Sequence, residues 1–79
     1  MASHRKIVTI PGILKNSEHE ATCLVMATQV SLPGTNVSAL CRYSIHQVSK
    51  ALPNGQYHLA VNGETIPVRH HGEHWLAAA

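Results

Sequence analysis

The residues best equipped for chemistry sit close together near the end of the chain: His70, His71, Glu73 and His74. Neutral imidazoles and a carboxylate are zinc donors, and such a group invites a metal reading. The spacing argues against one. HExxH sets two imidazoles on one face of a helix, whereas this stretch reads as a hairpin tip that sends His70 and His74 to opposite sides. Neither Cys23 nor Cys41 is near it in sequence. A solvated polar tip is expected, with no metal and no cofactor.

Nucleophilic catalysis has weaker candidates. Cys41 and His46 fall on one predicted helix at a separation that points them in different directions. No nucleophile elbow, Gly-rich phosphate loop or paired-carboxylate motif occurs. Gly63 and Gly72 read as turn residues, and of only four carboxylates most fall in predicted loops. The chain is not expected to be an enzyme.

The elements that carry these residues are clearest in the last third. Asn62-Gly63 fits a two-residue type I′ turn, which needs φ > 0 at both central positions. Folding there opposes Leu59 to Ile66 and Tyr57 to Val68, and puts every large apolar residue on one side. For the next turn, a four-residue tip His70-His71-Gly72-Glu73 would oppose Val68 to Trp75 and Arg69 to His74. Pro67 has no N–H for the third strand, so that ladder should be short or broken there.

Upstream, Lys6-Ile-Val-Thr-Ile10 is β-branched and apolar on both sides, which predicts an interior strand over Ile7–Ile10 with a bulge or turn at Pro11-Gly12. Residues 15–19 form a polar loop. Glu20 to Leu32 is ambiguous. Ser17-x-x-Glu20 has capping-box spacing, yet Thr22, Val25, Thr28 and Val30 are β-branched, and a strand pairing with the first is favoured over a helix. From Asn36 to Leu52, the residues Val37, Leu40, Cys41, Ser44, Ile45, Val48, Ala51 and Leu52 fall on one helical stripe. That pattern predicts a helix of about four turns, ended by Pro53-Asn54-Gly55. The fold expected is therefore α+β, a mostly antiparallel sheet with one main helix in the order ββαβββ, or alternatively βααβββ. Trp75 should be buried between helix and sheet.

The chain has 79 residues, 44% of them apolar and 13% charged, which suits one domain, 1–79, and argues against disorder. Residues 1–3 and 77–79 resemble cloning-derived or disordered ends. The aliphatic core, with no Phe, is modest, and small domains of this kind often gain stability by dimerising. A net charge of +2 and scattered basic residues do not announce a nucleic-acid protein. Seven histidines mean that net charge climbs below about pH 6.5. Two cysteines make neither a disulfide framework nor a CxxC pair, and no long apolar run suggests a membrane span, so a cytoplasmic protein is expected.

With Tyr57, Leu59, Val61, Ile66, Val68 and Trp75 facing inward, the other side of the meander shows Gln56, His58, Pro67, Arg69, His74 and Leu76. An Arg, two His and an apolar patch on one sheet face suggest a contact surface. The expected function is a small non-enzymatic protein-binding module, a regulator, adaptor or inhibitor, of a size common in phage and mobile elements. Its partner is another protein or a second copy in a homodimer. The alternative is nucleic-acid binding, since a helix followed by strands resembles the element order of a winged helix or a double-stranded-RNA-binding domain.

Overall fold

The computed structural model describes residues 4–77. It contains six strands: β1 (His4–Lys15), β2 (Glu20–Ser31), β3 (Ser38–His46), β4 (Gly55–Val61), β5 (Glu64–His71) and β6 (His74–Ala77). They form one antiparallel sheet in the order β3-β2-β1-β4-β5-β6, curled into a nearly closed barrel. The expectation of a main helix is overturned: among the described residues there is none, and so none long and apolar enough to cross a membrane. The cloning-derived or disordered reading of residues 1–3, 78 and 79 lies outside the described residues, while Ala77 ends β6.

β1 and β2 form a long hairpin in continuous register from His4↔Ser31 to Lys15↔Glu20. Segment 20–31 is thus the strand favoured over a helix, and Ser17-x-x-Glu20 caps nothing. Asn16 makes the turn, its Oδ1 accepting from the amides of Glu18 at 2.8 Å and His19 at 2.7 Å. This is an Asx-type turn, in which a short side chain replaces a backbone acceptor.

β1 runs straight through Pro11-Gly12. There the predicted bulge is replaced by a close approach: a Cβ on Gly12 would lie 2.9 Å from Val25 Cγ2, 3.1 Å from Leu59 Cδ1 and 3.2 Å from Cys23 Sγ. The missing side chain lets the sheet bend over its own core at that point. Nor is β1 an interior strand along Ile7–Ile10. β4 pairs with it only over Ile13–Lys15, so the remainder of that edge is bare and Ile7 is 69% exposed.

The segment predicted as a helix is β3 followed by a crossover. β3 pairs with β2 through Leu24↔His46 at one end and Ser31↔Ser38 at the other, with a bulge opposite Met26–Thr28. Arg42, at φ 57°, occupies that bulge. The extra residue changes the inward spacing from two to three, so Leu40, Tyr43 and Ile45 all face inward and the strict alternation that would mark a strand is lost. Beyond His46 the chain still leans on β2, Ser49 N donating to Thr22 O at 2.8 Å. It then crosses one end of the barrel to reach β4 and drops Leu52, 7% exposed, into the core.

The meander has the predicted first turn. Asn62 and Gly63 have φ of 52° and 75°, and Tyr57↔Val68 and Leu59↔Ile66 pair as read. The second turn is tighter than expected. Gly72 and Glu73 alone form it, with φ of 62° at Gly72, the Gly-first pattern of a type II′ turn. Trp75 therefore opposes His70 instead of Val68, and Arg69 opposes Leu76 instead of His74. Trp75 is half-buried, with no helix to cover it. Its indole stacks on His70 with centroids 4.2 Å apart and meets Tyr57 edge-on at 5.4 Å.

The core consists of Leu14, Ala21, Cys23, Val25, Leu52, Tyr57, Leu59, Val61 and Val68. These come from β1, β2, β4, β5 and the crossover, so the apolar face of the sheet is buried against itself.

Candidate functional site

The interior holds little that can react. Cys23 and Tyr57 are its titratable members, and burial pushes both the thiol and the phenol above their ordinary values. Cys23 is therefore the protonated, unreactive form of a thiol. Tyr57 Oη is satisfied by donating to Pro53 O at 2.7 Å. Both cysteines are free, Cys23 buried and Cys41 exposed.

The histidine group is split. His70 turns inward to Trp75, while His71 and His74 face each other as Cα partners on the outer side. Among the described residues no three His, Cys, Asp or Glu side chains assemble in a way that could hold a metal ion. Cys41 and His46 lie on opposite sides of β3's bulge, paired with Thr28 and Leu24 of β2, and do not meet. A different pair does: Ser44 Oγ and His46 Nε2 lie 2.8 Å apart, a contact that the helical reading hid. Both are exposed on a strand edge, and among the described residues no carboxylate orients the imidazole. Activation of a serine needs that orienting group and an oxyanion site as well as the base.

The six residues read as a contact surface share the outer side of β4–β6, in rows different from those expected. Gln56, Arg69 and Leu76 lie side by side in one row and His58 and Pro67 in the next, with His71 and His74 at the far end. His71 thus joins this face, a member the longer tip had concealed. All are exposed, Leu76 by 52%. Among the described residues no carboxylate projects from β4–β6 on this side, although the row of His58 and Pro67 runs on through Lys15 of β1 to Glu20 of β2, whose carboxylate lies 3.7 Å from the Lys15 amine. Glu64 pairs with Val61 on the inner side, and Glu73 lies in the β5–β6 turn.

The face continues without a break onto β1, because Ile13 opposes Ala60 and Ala60 opposes Thr65. Beside them is a shallow apolar hollow of about 620 Å³ bordered by Pro11, Gly12, Ile13 and the Asn62-Gly63 turn. Ile13 is 44% exposed there. Turn chemistry and alternation were the signals for β4 and β5; the contribution of Pro11 and Ile13 required the β1–β4 register.

No protein-family model matches the chain, and neither a curated protein nor a solved structure is significantly similar to it.

Proposed function

We propose that the chain is a small, non-enzymatic, cytoplasmic protein-binding module that docks through the outer side of β4–β6. The observation that carries this reading is the composition of that side: Arg69 and three histidines around Pro67 and Leu76, with no carboxylate on β4–β6 among the described residues, continuous with exposed Ile13 and with Lys15, which stands beside His58 and pairs with Glu20. Solvated strand faces ordinarily mix charges of both signs with Thr, whereas contact surfaces favour Arg and rings around an apolar centre. The chemistry fits a protein that offers a carboxylate to Arg69 beside an apolar side chain for Leu76 and Pro67. The two free thiols support a reducing compartment.

The nucleic-acid alternative loses the element order that suggested it, since both of those folds need a helix. Two permanent positive charges, Arg69 and the Lys15 that pairs with Glu20, are also sparse for phosphate, which is held by several cations acting together. Quantitative affinity capture from the native host's lysate, with wild type and Arg69→Glu compared, tests the reading. A protein retained by wild type and lost by Arg69→Glu is expected. Retention of the same proteins by both forms, or capture dominated by nucleic acid with a steep salt dependence, would overturn it.

A further inference from the structure

We propose that the bare edge of β1 pairs with the same edge of a second copy, joining two curled sheets into one around a two-fold axis at Ile7. This inference is independent of the β4–β6 face. β4 occupies the lane beside β1 only at Ile13–Lys15 and then turns away at Asn62-Gly63. From Arg5 to Thr9 the lane is empty among the described residues, and the amides and carbonyls that point into it have no strand partner. An extended strand is what such an edge recognises.

Three features select a second copy as that strand. The first is fit. Antiparallel pairing centred on Ile7 opposes Arg5 to the copy's Thr9 and Lys6 to its Val8, and stops short of the Asn62-Gly63 turn that blocks the lane. The second is facing. Such a register keeps inward residues opposite inward ones, as strand parity requires, and covers Ile7, at 69% the most exposed large apolar residue among the described ones. The third is charge. An inward lysine on a bare edge ordinarily blocks pairing, and among the described residues Lys6 meets no carboxylate within its own chain. Opposite Val8, however, the copy's Lys6 stands over the concave hollow that Val8, Ile10 and Tyr43 line together with Glu64. Two-fold symmetry makes this contact twice, in an isologous interface.

Sedimentation of the full chain over a dilution series tests the proposal, with Lys6→Glu, Glu64→Lys and the double exchange run alongside. Wild type should dimerise, each single reversal should weaken the dimer by about tenfold or more, and the double exchange should restore it. Thermal melts of each variant separate lost pairing from lost folding. As a second reading, Ile7→Cys in a Cys41→Ser background should yield a covalent dimer on mild oxidation, and Thr22→Cys in the same background should not. A wild type that stays monomeric at the highest concentration, or a dimer indifferent to both Lys6→Glu and Ile7→Lys, would overturn the inference.

Discussion

Tyr57 donates its phenolic hydrogen to the carbonyl of Pro53 across 2.7 Å, tying the first residues of β4 to the crossover that closes the barrel. The same carbonyl lies 3.4 Å from His70 Nδ1, and Gly72 N donates to Asn54 Oδ1 at 3.1 Å. The crossover, which has no regular structure, is thus held by the meander it leads into.

Tyr57→Phe should lower unfolding free energy by about 1 kcal/mol, the usual net loss when a hydrogen bond goes and its acceptor is stranded. Burial raises the phenol's pKa, so the fold favours its protonated form. That contribution is complete below about pH 10 and is lost as pH rises through the higher folded value. Urea titrations should show stability falling in alkali, and falling less in Tyr57→Phe. Part of the fall remains, because burial and Glu64 also raise Tyr43.

Gly12→Ala should destabilise by about 1–3 kcal/mol, the cost of one methyl too many in a packed interior. The new carbon would meet Val25 Cγ2 at 2.9 Å. The opposing gain in backbone entropy is smaller, about 0.4–1 kcal/mol. A thermal midpoint unchanged in Gly12→Ala would show that β1 and β4 do not converge there.

Gly63→Val forces a β-branched residue to hold φ of 75° and should cost about 1–2 kcal/mol or more. Chemical denaturation measures it directly. The same substitution frees the β4–β5 register, so the variant should also gain exchange broadening at Ala60 and Thr65.

Thiol labelling separates the two cysteines. Cys41 should react within the native protein at neutral pH. Cys23, buried and with a raised pKa, should react only after denaturant is added. Two fast thiols in native buffer would contradict the packing of β2 against β1 and β4.

The meander was legible because Asn62-Gly63 and the alternation on both sides of it demand one register. The strand character of 20–31 was legible from its β-branched residues against a weak capping signal. β3 was not, because the residues that break its period carry no mark of doing so. Arg42 holds positive φ, where Gly or Asn would be sought, and the bulge there breaks the alternation that would have marked a strand. The second turn was misjudged by length: Gly72 in first position satisfies a two-residue turn, which exchanges the partners of Arg69 and Trp75. The six outer residues survived that slip as a set. Their rows did not, and the share of the face owed to β1 depended on a pairing distant in sequence.

The most direct measurement of the proposed docking face is site-specific photocrosslinking in the native host, with a photoreactive side chain placed at Leu76 and, as a control, at Glu18 in the distant β1–β2 loop. The account predicts one discrete protein adduct from Leu76, absent from Glu18 and abolished by Arg69→Glu. Equal labelling from both positions, or no adduct from Leu76, would contradict it.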